Sequence, residues 1–404
     1  MPESDFNAGR DHDSADKLES LSVWGGEQPD SQSSPTQVPV VLSVAFGYAD
    51  LEGWLAVARG NAPGHIYSRN TNPTVAAFEA KVQALEGAEA ATSFASGMAA
   101  ISNTLFALLS PGDRVVSVKD TYGGTSKLFL ETLPRFGIQV TLCETSDHEA
   151  IIRAIKGGCT LAFLETPTNP TLKILDLARL ALAARQSGAL TVVDSTLATP
   201  ANQQPLALGA DLVIHSATKF LGGHADALGG VLLGRAELVS KVFHYREITG
   251  AALDPMSAYL LLRGMKTLHL RIAQQNMSAM TIASWLKRHR AVRAVFYPGL
   301  ETHPDHEIAR RQMRGFGGVL SFVLKGGLES VELFLRNLRL VHRAANLGAV
   351  ETIAGLPATT SHVECTKEER AALGIPEGLV RYSVGIEATD DLIADLDRAL
   401  AAVG

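Results

Sequence analysis

One lysine stands in the run His215-Ser216-Ala217-Thr218-Lys219-Phe220-Leu221-Gly222-Gly223-His224, after a short apolar segment and before a pair of glycines. An amine held in a partly apolar pocket loses proton affinity and becomes a usable nucleophile and base. Ser216 and Thr218 are two residues apart, so in extended chain they point the same way and can both donate to one phosphate. A surface lysine in a Ser/Thr turn is the ordinary alternative. Asp194 ends the apolar run Leu190-Thr191-Val192-Val193-Asp194. Ligands of open α/β sheets bind beyond the carboxyl ends of the strands, where an acid can pair with a protonated ring nitrogen. Capping a helix or closing a turn is the commoner use of Asp beside Ser and Thr. The third piece is Ser96-Gly97-Met98-Ala99-Ala100, between a strand and a helix. Backbone N–H groups at such a helix start bind phosphate, although Ser-Gly is also an ordinary N-cap.

An imine-forming lysine, an acid for a pyridinium and a phosphate cup are together what pyridoxal phosphate requires. The elements that must position them alternate along the chain. Val75, Phe78, Val82 and Leu85 recur at helical spacing up to Gly87, after the polar loop Tyr67 to Thr74. Strands are predicted at 91–94, 114–118, 139–143, 161–165, 190–194 and 212–215, and helices at 99–109, 127–136 and 177–186. Short strands rich in Val, Leu and Ile between helices predict a mostly parallel sheet covered on both faces. From 258 to 290 a long helical stretch is predicted, followed by segments at 318–323, 328–335 and 381–384 and a terminal helix at 390–402. The expected division is an N-terminal tail and arm over 1–60, a cofactor-binding domain over 61–257 and a smaller α+β domain over 258–404.

The 404 residues are 46% hydrophobic and 19% charged, enough for two or three domains at about 150 residues each. Lys+Arg 36 against Asp+Glu 42 gives a net charge of −6, which disfavours a nucleic-acid binder. The basic run Lys287-Arg288-His289-Arg290 ends a helical pattern and reads as a solvated face. Three scattered cysteines, Cys143, Cys159 and Cys365, fit neither a disulfide scaffold nor a zinc ribbon and point to a reducing compartment. No apolar run approaches the roughly 20 residues of a membrane span. The start of the chain, rich in Asp, Glu, Ser and Pro, lacks the basic opening and apolar core of a signal peptide, so a cytoplasmic enzyme is expected. No metal is expected: His303 with His306, or His362 with Cys365, lack two further ligands at a recognisable spacing.

The ordered motifs go further. Asp194-Ser195-Thr196 with Thr199-Pro200, and Ser216-Ala217-Thr218-Lys219 with Gly222-Gly223-His224, resemble the pyridoxal-phosphate signature of the cystathionine γ-synthase/γ-lyase family, also called the Cys/Met metabolism family. The likeness extends to Tyr67-Ser68-Arg69, Asn72-Pro73-Thr74, Ser96-Gly97-Met98, Tyr122-Gly123-Gly124-Thr125, Glu165-Thr166-Pro167 with Asn169-Pro170, and Arg381 through Glu387. The resemblance implies the type I fold of pyridoxal-phosphate-dependent transferases. It implies that Lys219 bonds the cofactor, that Asp194 pairs with its ring nitrogen, that Tyr122 stacks on the ring and serves as acid or base, and that Asn169 reaches the phenolic oxygen. Gly97, Met98, Ser216 and Thr218 are implied to hold the phosphate, with Tyr67 and Arg69 arriving from a neighbouring subunit. Arg381 is implied to grip the substrate α-carboxylate. The implied assembly is a homotetramer, a dimer of dimers with shared active sites. The implied activity is γ-elimination or γ-replacement on a homoserine-derived amino acid.

Substrate markers point in several directions. Tyr122-Gly123-Gly124-Thr125 resembles the cystathionine synthases and lyases, whereas methionine γ-lyases typically carry Cys at the place of Gly124. Lys127 stands where cystathionine enzymes often have Arg for a distal carboxylate, but Ile66 and Ala345 replace the glutamates often used for the distal ammonium. Asn346-Leu347-Gly348 and Pro357-Ala358-Thr359-Thr360 resemble the O-acylhomoserine sulfhydrylases, and place Asn346 among the substrate-binding residues. O-acetyl- or O-succinylhomoserine sulfhydrylase and γ-lyase on methionine therefore stand beside the cystathionine reading, and an inactive binding homologue is the alternative of another class.

Overall fold

The computed structural model describes residues 17–27, 35–361, 363 and 365–403. Much of the expected N-terminal tail, and His362, lie outside the described residues. Seven strands form the larger sheet: β1 (Ala90–Phe94), β2 (Arg114–Val118), β3 (Gln139–Cys143), β4 (Leu161–Glu165), β5 (Leu190–Asp194), β6 (Leu212–Ser216) and β7 (Gly230–Gly234). Their order is β1-β7-β6-β5-β4-β2-β3. The sheet is mostly parallel, as expected, but β7 runs antiparallel to both its neighbours. The sequence reading missed β7, whose Gly-Val-Leu-Leu-Gly carries no alternation because every residue is buried.

Buried strands such as Leu-Ala-Phe-Leu-Glu and Leu-Thr-Val-Val-Asp send alternate side chains to opposite faces. Phe163 and Val192 pack with Leu105 and Phe129 on one side. Leu164 and Val193 pack with Ile151, Ile155 and Leu180 on the other. The same alternation leaves Glu165 and Asp194 as direct partners at the carboxyl ends of neighbouring strands.

One helix is new and two expected helices change. His148–Lys156, which the sequence reading missed, is capped by Asp147, whose carboxylate accepts the Ala150 N–H at 2.8 Å, and buries Ile151, Ile152 and Ile155. The helix expected over 127–136 begins at Gly123 and contains a π turn, Leu128–Thr132, before Leu133–Arg135. The Leu133 N–H reaches back to Leu128, and Pro134, which has no N–H and crowds the preceding turn, follows at once. The stretch expected over 258–290 is two helices, Pro255–Met265 and Leu268–Leu286. The first closes with tight bonds from Lys266 and Thr267 to the carbonyls three residues back.

Five strands form the second sheet: β8 (Val292–Phe296), β9 (Val319–Leu324), β10 (His342–Arg343), β11 (Ile353–Gly355) and β12 (Leu379–Ser383), in the order β10-β11-β12-β9-β8. Phe322 and Tyr382 of this sheet meet Leu286, Phe334 and Leu396 from helices Leu268–Leu286, Gly327–Asn337 and Thr389–Ala401. The Ser321 hydroxyl donates to the Pro170 carbonyl at 2.7 Å, tying this sheet to the loop after β4.

Two segments near the start behave differently. Leu18–Trp24 is a helix fastened to helix Pro73–Glu86 by Lys81, which donates to the carbonyls of Ser22 and Val23 and pairs with Glu27 at 2.9 Å. Leu51–Ala58 is a helix with no buried residue, exposing Leu51, Trp54 and Leu55.

Candidate active site

A cavity of about 270 Å³ opens beyond the carboxyl ends of β4, β5 and β6, roofed by the second sheet. Its lining gathers Gly97, Met98, Tyr122, Asn169, Asp194, Ser216, Thr218, Lys219, Asn346 and Arg381 from seven stretches of chain. Tyr67, Arg69 and Lys127 are not part of that lining. The Tyr67 ring is 42% exposed, with the Arg69 guanidinium 5.5 Å from its centroid and donating to the Glu247 carbonyl at 2.5 Å. Lys127 ends helix Gly123–Lys127 on an exposed face.

Lys219 follows β6 by three residues, its N–H bonded to the Ser216 carbonyl at 3.1 Å. Its Nζ donates to Asn346 Oδ1 at 2.7 Å. Burial, and then the positive charge of Arg381, push the amine down to about 8, so a neutral lysine is within reach near physiological pH. The loop beyond it is held by Arg271, 3% exposed, which donates to the carbonyls of Phe220, Leu221 and Gly264. Gly264 has to be glycine here, since a Cβ would lie 2.0 Å from the Gly222 carbonyl oxygen. Gly223 sits at φ +71, in the left-handed region.

Arg381 comes from β12 and is 4% exposed. It donates to Asn169 Oδ1 at 3.2 Å and to the Asn346 carbonyl at 3.1 Å, bridging the two sheets. Burial pulls its guanidinium to about 10, still a cation at neutral pH. Asp194 Oδ1 accepts both the N–H and the hydroxyl of Thr196, at 3.0 and 2.6 Å. Burial nevertheless raises its carboxyl above the usual range.

These residues fit pyridoxal phosphate. A buried carboxylate that burial disfavours is what a protonated ring nitrogen would neutralise. Ser96 caps the helix Gly97–Leu108, accepting from Ala99 at 3.1 Å, so the first N–H groups of that helix face the cavity mouth as an anion site. A Cβ on Gly97 would meet the Ser216 side chain at 2.8 Å, so glycine lets the helix start and the Ser216 hydroxyl lie side by side in the cavity lining. The expectation that Ser216 and Thr218 lie in one extended segment does not hold. The strand ends at Ser216, and the Thr218 hydroxyl donates to the carbonyl and accepts the N–H of Gly229, at 3.2 and 3.0 Å.

Sequence reasoning did not single out Thr196 or Glu165 as site residues. Thr196 stands two residues after Asp194, the spacing of a local carboxylate turn, and that signal was available. Glu165 was visible as the polar end of a buried strand and as part of the Glu165-Thr166-Pro167 motif, but neither signal gave it a role.

Residues 19–401 match the family model described as Cys/Met metabolism PLP-dependent enzyme. The chain is similar to an L-methionine γ-lyase of Fusobacterium nucleatum, 46% identical over 340 residues, 83% of this chain and 86% of the relative. It is equally similar to an O-succinylhomoserine sulfhydrylase of Pseudomonas aeruginosa, 46% identical over 344 residues, 85% of each chain. A solved structure of cystathionine γ-lyase from Lactobacillus plantarum complexed with L-serine superposes with a TM-score of 0.90 at 39% identity, covering 96% of this chain and 99% of that one.

Proposed function

The chain belongs to the Cys/Met metabolism family of pyridoxal-phosphate-dependent enzymes, and from that premise we propose that it performs γ-elimination or γ-replacement on a homoserine-derived amino acid, of the cystathionine γ-synthase/γ-lyase type. The observation that carries this reading is the convergence of Lys219, Asp194 and Arg381 on one cavity.

When bound, pyridoxal phosphate supplies an electron sink for a carbanion at the substrate α-carbon. The N-terminal N–H groups of helix Gly97–Leu108 and the Ser216 hydroxyl hold its phosphate. Asp194 keeps the ring nitrogen protonated. Asn169 spends its Oδ1 on Arg381, which leaves its amide N–H for the phenolic oxygen. Arg381 takes the α-carboxylate in a two-point grip, already buried and oriented by Asn169 and Asn346. Lys219, neutral above about 8, removes the α-proton and, after passing it on, a β-proton whose bonding electrons expel the γ-substituent, and the Asn346 oxygen 2.7 Å away fixes where its amine waits. Tyr122, 44% exposed at the mouth, delivers a proton to the departing γ-substituent.

Replacement on an acylated homoserine, or elimination from methionine, is the second reading. It is favoured by the neutral wall of Ala345, Thr360 and Ser361 in the lining. Either reading takes the protein as a homo-oligomer, a dimer of dimers with sites completed across an interface, supported by the bare apolar helix Leu51–Ala58 and by the position of Tyr67 and Arg69 outside their own cavity. No helix among the described residues is long and apolar enough to cross a membrane. The three scattered cysteines support a reducing, cytoplasmic setting. The test is release of 2-oxobutyrate from cystathionine by the cofactor-loaded protein with no acceptor thiol present. Rapid release supports the γ-lyase. Its absence, with turnover of an acyl-homoserine in the presence of a thiol, moves the assignment to the second reading.

A further inference from the structure

Two carboxylates, not one, close the floor of the cavity. Glu165 and Asp194 are register partners at the ends of β4 and β5, and both line the cavity. Asp194 has an evident use there, and Glu165 has none in the steps above. It is 3% exposed, and burial, then the charge of Asp194, raise its carboxyl well above the usual range. A leucine would sit at a strand end without that cost.

The use of the carboxylate is in what it accepts. Glu165 Oε2 takes the backbone N–H of Tyr122 at 2.7 Å, and the backbone N–H of Asn169 adds a weaker stabilisation of the carboxylate charge. Tyr122 begins helix Gly123–Lys127, and Asn169 belongs to the loop after β4. With 44% of Tyr122 exposed, packing covers only part of its ring, and the backbone bond adds a fixed anchor at the root of the side chain. We propose that Glu165 is a positioning residue, which fixes Tyr122 over the face of the cofactor ring by holding its backbone N–H, beside the loop that brings Asn169 to the ring edge. This inference rests on the proposed placement of those two residues at the ring.

The test compares Glu165→Leu, which has no acceptor, with Glu165→Gln, which keeps one without the charge, and Glu165→Asp, which shortens the reach. The readouts are pyridoxal-phosphate affinity, the visible-region circular dichroism of the bound cofactor, and amide hydrogen exchange at Tyr122 in the cofactor-free protein. In Glu165→Leu, affinity falls about tenfold or more, the dichroic band weakens and the Tyr122 amide exchanges faster, while Glu165→Gln stays within about threefold of the parent. A Glu165→Leu protein with parental affinity, dichroism and exchange overturns the inference, as does Glu165→Gln impaired as deeply as Glu165→Leu. If Glu165→Leu does not fold, Glu165→Asp decides: unchanged dichroism and exchange overturn it, and a weakened band with faster exchange supports it. Tyr122→Ala separates the two levels. Without effect on the band, it removes the placement of Tyr122 at the ring; with an effect, while Glu165→Leu has none, it removes only the role of Glu165.

Discussion

Two lysines of this chain, one fully and one partly buried, have opposite uses. Lys81, fully buried, is surrounded by acceptors: the carbonyls of Ser22 and Val23 and the carboxylate of Glu27, which also pairs with Lys266 at 2.9 Å. Lys219 has one neutral acceptor, Asn346 Oδ1, and a guanidinium as its charged neighbour. Burial lowers both amines, but at Lys81 the Glu27 carboxylate pulls back toward the charged form, whereas at Lys219 Arg381 pushes further the same way. The difference lies in the partners, and the less deeply placed of the two is the one left without a counter-charge. A saturated buried cation is a strut, and an unsaturated one is a reagent.

Removing each amine breaks the comparison most directly. Lys219→Ala is expected to lower turnover by about a thousandfold or more, with folding intact by circular dichroism. Lys81→Met should leave kcat near its parental value yet destabilise the protein by about 3 kcal/mol, read as a lower Tm and faster proteolysis of the segment before Pro35. A thousandfold kinetic loss in Lys81→Met would erase the distinction. Arg381→Ala, which removes the charge that sets Lys219 apart, is expected to raise KM about tenfold to a hundredfold. An unchanged KM would remove Arg381 from carboxylate binding.

The finest discrimination is by pH. In the cofactor-free protein, labelling of Lys219 by an amine reagent should rise with a midpoint near 8, and Arg381→Ala should move that midpoint upward, since the lost charge was lowering it. The sign for stability follows. The folded state binds the Lys219 proton less tightly than the unfolded chain, so the penalty is full below about 8 and is relieved as pH climbs toward 10.5. Lys219→Met should therefore raise the Tm of the cofactor-free protein at pH 7 and change it little at pH 10.

What was legible in the sequence was local. Lys219 before Gly222-Gly223, Asp194 at the end of a Val-rich run and Ser96-Gly97 ahead of a helix each carry their signal within a few neighbours. Parallel strands buried on both faces announce themselves by continuous apolar runs, which is why β4, β5 and β6 were readable. Pairings across the chain were not. The Glu165 carboxylate meets the Tyr122 N–H only because β4 and the segment after β2 end side by side, and no spacing encodes that. β7 gave no period, and the π turn ahead of Pro134 moved a helix start that Gly123-Gly124 disguised as loop. The thread from Leu18 to Trp24 looked like part of a polar tail, because the burial of Lys81 beneath it is a tertiary event.

Arg271 and the glycines around it have a consequence for what binding costs. Three carbonyls pinned by one guanidinium, with Gly264 pressed against Gly222, set the backbone beyond Lys219 through contacts within the chain itself. A turn held in this way has little conformational freedom left to lose when a group binds at Lys219, so little of the binding free energy goes into ordering it.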